Sequence, residues 1–215
     1  MSTAAGPNIV DDGLMTCLDS YNTVSFVSPT WTDLVTKATG VNELPNSAVF
    51  WMNAGYITKC TLTMIIRRNT ANPSYSINPF TKYADTTNNT FNWYMFGNNS
   101  GTLPADDGKL TLYANRGGAW SPVGGTYAVS LNQTVCATIQ YNSTTGGQLW
   151  INGIQVGGRS GTGGLGSIGN TSNLVAMHPT TSSIISPYYY SIYNRELSDS
   201  EVIQNFSALR SRYGI

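Results

Sequence analysis

Charged side chains are scarce in this sequence. Lysine and arginine number 11, aspartate and glutamate also number 11, and together they make up 10% of the 215 residues with a formal net charge of zero. Soluble proteins usually contain about 25% charged residues. A chain this neutral has no basic stripe of the kind that binds nucleic acid and no charge run suited to a membrane surface. We therefore expect neither partner.

Long apolar runs are missing as well. No stretch approaches the roughly 20 residues that a membrane-spanning helix requires. The first residues, MSTAAGPNIVDDG, contain neither the basic nor the apolar region of a secretion signal. We expect a protein that is made in the cytoplasm and has no signal peptide.

Cysteine and histidine are few. Cys17, Cys60 and Cys136 are odd in number and far apart, and His178 is the only histidine. Cys17 and Cys136 lie in strand-like segments, which favours small buried hydrophobes over ligands or nucleophiles. A single histidine excludes a metal site that is built on paired imidazoles.

Glycine, asparagine, serine and threonine are abundant instead, a composition typical of β-sandwiches. The pattern predicts strands at 9–19, 48–54, 61–67, 92–96, 109–115, 135–141, 148–153, 172–177 and 188–193. The segment 68–92 is either a functional loop or contains a short strand, and the glycine-rich segment 157–169 is predicted to be a flexible loop. No linker interrupts the chain, so we expect one domain over residues 1–215. The expected core includes Leu14, Leu18, Trp31, Leu62, Met64, Ile66, Trp93, Leu110, Leu112, Ile139, Trp150, Tyr190 and Ile192.

The last residues predict a helix with both ends marked. Ser198 stands three residues before Glu201, which is the spacing of a capping box, and Leu197 and Val202 have the spacing of a hydrophobic staple. Gly214 is placed to end the helix. Its apolar face is predicted to contain Val202, Phe206, Leu209 and Tyr213.

Both ends of the sequence carry motifs of a known family. They are Ile192-Tyr193-Asn194-Arg195-x-Leu197-Ser198-x-x-Glu201, Gly6-Pro7-Asn8-Ile9-Val10, Gly13-Leu14, Leu18-Asp19, Trp31-Thr32-Asp33-Leu34, the segment Gly146–Gly153 and the terminal Arg212-Tyr213-Gly214-Ile215. These motifs resemble laminin-G-like domains of the concanavalin A-like lectin/glucanase superfamily, in the form found in tailed bacteriophages. The resemblance implies an all-β, concanavalin A-like jelly-roll β-sandwich of two antiparallel sheets with about six strands each and a short C-terminal α-helix. That fold hosts enzymes, lectins and inert scaffolds alike.

The acidic residues argue against an enzyme. Glucanases of this superfamily resemble one another in having two carboxylates close together on one strand, as nucleophile and acid/base. Here no aspartate or glutamate occurs between Asp107 and Glu196, although this stretch is predicted to contain much of one sheet. The adjacent acidic pairs are Asp11-Asp12 and Asp106-Asp107, both in predicted turns. The sequence therefore predicts no catalytic residues and a protein that is not an enzyme.

Carbohydrate binding does not require a pair of catalytic carboxylates. An aromatic face accommodates the C–H surface of a sugar, and amide or carboxylate groups bind its hydroxyls. The sequence offers five candidates in predicted loops or at strand ends: Tyr75, Asn98, Asn99, Asn115 and Trp120. Asp106 and Asp107 are weak candidate ligands for calcium, which takes about six to eight oxygens. No other cofactor is expected.

The resemblance also implies a biological setting. A neutral sandwich with free thiols and phage-like ends predicts a non-enzymatic bacteriophage virion structural protein on the particle surface, with capsid decoration first and weak glycan binding as a second role. The alternative is a carbohydrate-binding tail or fibre adhesin for host recognition. The expected partners are phage capsid or tail proteins and a surface glycan, and a homo-oligomer is compatible with either setting. The expected location is the virion, after synthesis in the host cytoplasm.

Overall fold

The structure, a computed structural model, describes residues 8–22, 26–27, 30–35, 39–41, 43–44, 58–70, 77–82, 91–95, 108–116, 119–162, 174–175 and 185–215. Side chains are described for 8–22, 30, 32–35, 58–70, 108–113, 122–162 and 185–215. The strand predicted at 48–54 lies outside the described residues.

These ranges contain strands and a C-terminal helix. In chain order they are β1 (Leu14–Asp19), β2 (Phe26–Val27), β3 (Thr30–Thr32), β4 (Thr39–Val41), β5 (Glu43–Leu44), β6 (Lys59–Arg68), β7 (Ile77–Lys82), β8 (Phe91–Met95), β9 (Lys109–Arg116), β10 (Ala119–Ala128), β11 (Thr134–Asn142), β12 (Gly146–Ile151), β13 (Ile154–Ser160), β14 (Leu174–Val175), β15 (Ile185–Tyr193) and α1 (Asp199–Tyr213).

Two six-stranded sheets form the body of the fold. The first has the order β1-β15-β6-β11-β12-β13, and the second has the order β10-β9-β8-β7-β14-β5. A small third sheet contains β2, β3 and β4. All of these strand pairs are antiparallel. The predicted all-β sandwich with a C-terminal helix is therefore confirmed.

The main core lies between the two large sheets. Successive strand residues point to opposite faces, so Leu62, Met64 and Ile66 of β6 share one face. These side chains belong to one buried cluster with Leu110 and Leu112 of the second sheet. Burying each stabilises the fold by roughly 1.5–3 kcal/mol. Of the predicted core, the buried members are Leu18, Leu62, Met64, Ile66, Leu110, Leu112, Ile139, Trp150, Tyr190 and Ile192.

Three members of the predicted core have a different outcome. Leu14 is only partly buried, at the start of β1. The side chains of Trp31 and Trp93 lie outside those that the structure describes.

The helix α1 covers the opposite face of the first sheet. Leu209 and Tyr213 pack with Cys17, Ile65 and Tyr189 of three neighbouring strands. A third cluster joins Val202 to Trp150 and Tyr193. The outer face of this sheet is therefore closed where the helix lies.

The helix begins and ends as the sequence predicts. The backbone N–H of Glu201 donates to Ser198 Oγ at 3.3 Å, and the N–H of Ser198 donates to Glu201 Oε2 at 2.7 Å, which completes the capping box. Gly214 has a φ of 69° and donates its N–H to Arg210 O. No helix within the described ranges is long and apolar enough to span a bilayer.

The strand prediction differs from the structure in two segments that contain glycine. β13 includes Gly157 and Gly158, so the predicted flexible loop is wrong for residues 157–160. β10 was not predicted, and it places Trp120 in a strand instead of a loop. Both strands are poor in β-branched residues, and tertiary pairing overrides that weak propensity. In the segment 68–92, the short-strand alternative is confirmed by β7.

The three thiols are buried and free, which confirms the burial expected for Cys17 and Cys136. Burial raises the pKa of Cys17 to about 12 and that of Cys136 to about 12. Burial also raises the pKa of Cys60. Because the thiolate is the reactive form, none of the three is suited to be a nucleophile in the folded protein.

Candidate functional site

A buried carboxylate marks one end of the first sheet. Asp19, the last residue of β1, is only 3% exposed. Its Oδ1 accepts hydrogen bonds from the Tyr21 backbone N–H at 2.9 Å and from the Tyr213 hydroxyl at 2.6 Å. Its Oδ2 is paired with the Arg212 guanidinium. Asp19 thus fixes the turn after β1 to the last turn of α1.

Three tyrosine rings gather around this carboxylate, and we call Tyr21, Tyr188 and Tyr213 the tyrosine platform. The ring of Tyr21 meets that of Tyr213 edge to face, with centroids 4.9 Å apart and an interplanar angle of 88°. The Tyr21 and Tyr188 centroids are 6.1 Å apart. Such geometries are the preferred aromatic contacts and stabilise by about 0.5–1.5 kcal/mol. The rings therefore hold one another in place.

The platform is ordered yet open to solvent. Tyr21 is 60% exposed, whereas Tyr213 is buried and Tyr188 is half-buried. Burial and the neighbouring Asp19 carboxylate raise the pKa of the Tyr213 hydroxyl, so it remains a hydrogen-bond donor. The backbone adds a further tie, because the Ser20 N–H donates to Tyr188 O at 2.8 Å.

A local turn, the register of two strands and the end of the helix together explain this arrangement. An aspartate often accepts a hydrogen bond from the backbone two residues later, which is the Asp19–Tyr21 contact. Tyr189 is the register partner of Asp19 in β15, so Tyr188 follows the same edge. Tyr213 reaches Asp19 because α1 ends there.

The chemistry of the platform suits a sugar. An exposed aromatic ring offers an apolar face to the C–H groups of a pyranose. The guanidinium of Arg212 lies beside the platform, with its side chain 49% exposed, and offers N–H donors to ligand oxygens. Aromatic surface and planar polar groups therefore occur together.

A second polar surface surrounds the start of α1. It is an open cleft of about 640 Å³, lined by Gln140, Arg159, Arg195, Glu196, Leu197, Ser198, Asp199, Ser200 and Glu201. Its floor is Gln140, whose amide nitrogen donates to Asp199 Oδ1 at 2.9 Å and whose oxygen accepts from Trp150 Nε1 at 2.6 Å.

Every carboxylate of this cleft is engaged by the protein. Glu196 pairs with Arg159 and accepts from Asn142 Nδ2 at 3.0 Å. The hydrogen bonds from Arg195 lower the pKa of Glu201 to about 2. A carboxyl group that stays ionised at neutral pH cannot act as a general acid there. Glu201 therefore stabilises the entry of α1 through its bonds to Arg195 and Ser198.

The sequence-predicted candidates lie on the second sheet or outside the described residues. Asn115 of β9 and Trp120 of β10 are register partners, so the structure brings their backbones together. Tyr75, Asn98 and Asn99 lie outside the described residues, as do the calcium candidates Asp106 and Asp107. In the part of the chain that the structure describes, no group of three or more His, Cys, Asp or Glu could hold a metal ion.

Sequence reasoning missed the platform itself. Tyr213 was assigned to the helix core and Arg212 to a terminal motif, while Tyr21 and Asp19 carried no signal for a site. Asp19 and Tyr213 are separated by 194 positions, so no local pattern joins them. The cluster of tyrosines in the strand that includes Tyr188 was the available clue.

Comparison by sequence alone gives no assignment, because no protein-family profile matches the chain and no curated protein matches it. Solved structures match its fold. Trypanosoma rangeli sialidase in complex with 2,3-difluoro-KDN gives a TM-score of 0.61 at 14% identity, over 96% of this chain and 35% of the sialidase chain. A second structure of that sialidase, in complex with sialic acid, gives 0.57 at 14% identity, over 91% of this chain and 33% of that one.

A bacterial toxin shares the fold as well. The binding domain of botulinum neurotoxin DC, in complex with SialylT, gives a TM-score of 0.61 at 12% identity, over 92% of this chain and 52% of that one. The chain therefore spans about a third of the sialidase chains and about half of the toxin domain. At these identities the likeness concerns the fold. The chain is an antiparallel β-sandwich with a C-terminal helix, and parts of the sialidase chain and of the toxin binding domain are similar to it in fold.

Proposed function

We propose that this chain is a non-enzymatic, carbohydrate-binding β-sandwich module and that the tyrosine platform is its binding surface. The observation that carries the proposal is the exposed ring of Tyr21, which is 60% exposed and held by Asp19 and Tyr213. Although the Tyr21 ring contacts Tyr188 and Tyr213, more than half of the residue is exposed to water. It offers a preorganised surface for a ligand, and preorganisation lowers the entropic cost of binding.

The comparisons support this proposal at the level of the fold. The named structures of the sialidase and the toxin domain were solved with sialic acid, a sialic acid analogue or SialylT. The same sandwich therefore occurs in proteins that meet sugars. Catalysis is not part of the proposal, because the carboxylates of the cleft at the start of α1 are each paired with the protein's own side chains.

We further propose that the module is displayed on a tailed-phage particle. The support is the resemblance of the chain ends, above all the motif from Ile192 to Glu201, whose strand, cap and helix are formed as that motif implies. Capsid decoration is the first setting, and a tail or fibre adhesin is the second. The platform favours the adhesin in one respect, since a fixed aromatic surface suits recognition of a host glycan.

Substitution of Tyr21 tests the binding proposal. The variant Tyr21→Ala should lose about two- to tenfold in affinity for the glycan that binds best on an array, because removing a stacked ring costs about 0.5–1.5 kcal/mol. The control is Leu131→Ala, which truncates a 51% exposed side chain in the turn before β11. Affinity measured by calorimetry should be unchanged in the control. No binding to any glycan, or equal affinity in Tyr21→Ala, would overturn the proposal.

Copy number tests the setting. Quantitative mass spectrometry of purified particles, against a capsid-protein standard, should give hundreds of copies for capsid decoration and a few for a tail protein. Absence from particles would reject display on the virion and leave the glycan proposal standing. The variant Trp120→Ala, which alters the other candidate surface on β10, separates the two sites: lost adsorption with unchanged platform binding would assign host recognition to β10.

A further inference from the structure

We propose that the tyrosine platform selects acidic glycans and that Arg212 determines this specificity; the inference rests on the proposed function. The argument begins with what a ligand on Tyr21 would meet beside the ring. Arg212 precedes Tyr213 directly, its side chain is 49% exposed, and it is anchored beside the platform through Asp19.

The orientation of this guanidinium is fixed by the buried Asp19 carboxylate. Arg212 uses Nη1 for the buried Oδ2 of Asp19. A guanidinium has five N–H donors in a planar fork, so donors remain for a ligand after this contact. Because Asp19 is buried and the Arg212 side chain is half exposed, the guanidinium is held in one orientation and still has N–H donors available to a ligand.

Asp19 itself is hidden from a ligand. It is 3% exposed, and its other oxygen accepts from the Tyr21 backbone and the Tyr213 hydroxyl. Three donors therefore share its negative charge. An incoming sugar meets the donors of Arg212 and not the carboxylate.

The distribution of charge around the platform points the same way. Asp33 contacts the neighbouring strand β1 through the N–H of Cys17 and is fully buried. Both arginines of the last turn of α1, Arg210 and Arg212, reach solvent. Among the described residues of this region, Asp19 and Asp33 are buried and Arg210 and Arg212 are exposed, so the charged groups that a ligand can contact directly are cationic.

A carboxylated sugar fits these groups best. Its ring would stack on Tyr21 while its carboxylate accepts N–H donors from Arg212, and such charge-assisted bonds are about twice as strong as neutral ones. A neutral sugar would keep the stacking and lose the charge-assisted bonds. The ligand class that we assign is therefore a glycan with an exposed carboxylate.

Three probes separate charge from size: 3′-sialyllactose, its methyl ester and lactose. We expect 3′-sialyllactose to bind about tenfold more tightly than its methyl ester, since esterification removes the negative charge and adds only one methyl group. The difference should shrink as salt is raised, because solvent-exposed charges are screened. Calorimetry on the full chain measures both.

Two variants assign the preference to one residue. In Arg212→Gln the ratio of the two affinities should fall to near one, while affinity for the methyl ester stays within twofold. The matched control Arg210→Gln removes the same charge from the same helical turn and should keep most of the preference. A thermal melt of each variant establishes that it is folded before binding is compared.

The outcomes distinguish this inference from the function on which it rests. Equal binding of the acid and its ester, with a loss in Tyr21→Ala, would overturn the acidic preference and leave glycan binding intact. A preference that persists in Arg212→Gln would overturn the role of Arg212. Binding of none of these probes and of no array glycan would overturn the proposed function itself.

Discussion

Two glycines with similar backbones differ in what surrounds them. Gly153, in the turn between β12 and β13, has a φ of +73°, and a Cβ there would lie 2.6 Å from Cδ1 of Phe206. Gly157, in β13, has a φ of +70° and open space around the same position. The left-handed conformation penalises any side chain at both sites, but the steric clash exists only at Gly153. The turn is thus shaped to approach α1 closely.

The variants Gly153→Ala and Gly157→Ala should therefore differ in stability. The backbone strain costs about 1–2 kcal/mol in each. Displacement of the Phe206 ring adds ~1–3 kcal/mol in Gly153→Ala alone. Urea unfolding of the two variants beside the unsubstituted protein measures this gap. Equal free energies of unfolding would show that Phe206 moves aside without cost.

At the scale of elements, the entry of α1 depends on one ion pair. Arg195 donates to both oxygens of Glu201, at 2.6 Å and 2.9 Å, and also pairs with Asp12 at 2.9 Å. The hydrogen bonds from Arg195, together with those from Ser198, lower the pKa of Glu201 from its ordinary value of 4.5 to about 2. The folded state therefore favours the ionised carboxylate more than the unfolded chain does.

The pH dependence of stability follows from the lowered pKa of Glu201 in the folded state. The contribution of Glu201 is fully present above about pH 4.5 and is lost as the pH falls toward 2. Glu201→Gln keeps the capping geometry and removes the charge, so it should lower the free energy of unfolding at pH 6 by less than about 1 kcal/mol. The gap between the two proteins should close near pH 2. Asp11→Asn, a charge removed from an exposed turn, should follow the unsubstituted protein across the range.

Signals of local structure explain why the helix was predictable. The capping box of Ser198 and Glu201, the apolar face and Gly214 are all contained within residues 197–214, and each acts through near neighbours. The apolar and β-branched composition of β6 and β11 indicated buried strands, because that composition is itself a local signal. A prediction based on short windows succeeds where the signal lies within a few residues.

Elements that depend on distant partners were not predictable in this way. β10 contains Pro122, Gly124 and Gly125, and it is a strand because β9 pairs with it from Lys109 to Arg116. The platform depends on Asp19 and Arg212, which meet across 193 positions. Trp120 is a site candidate of the sequence in a predicted loop or strand end, whereas the structure places it inside β10.

At the scale of the whole molecule, the two ends of the chain are bound together. The N–H of Val10 donates to Asn205 Oδ1 at 2.7 Å, and the Tyr193 hydroxyl donates to Val10 O at 2.9 Å. Asn205 is buried, so these bonds are shielded from water. Because the partners lie so far apart in sequence, these contacts raise the contact order of the fold, which is typical of slowly folding proteins.

The three cysteines lie in two different layers of this assembly. Cys17 and Cys136 share a buried cluster with Leu209 and Tyr213 of α1, whereas Cys60 lies in the core between the sheets. A thiol must be exposed before it can react, so each labelling rate measures how often its own layer opens.

Alkylation followed by peptide mass spectrometry should therefore resolve two separate rates of thiol labelling in one chain. Cys17 and Cys136 should react together at the rate at which α1 lifts from the sheet, and Cys60 only at the slower rate at which the sandwich comes apart. A single common rate would mean that the helix never leaves alone. A carboxylated sugar bound to Tyr21 and Arg212 should slow the labelling of Cys17 and Cys136 and affect that of Cys60 less. Thiol labelling would then report occupancy of the binding surface without a label on the ligand.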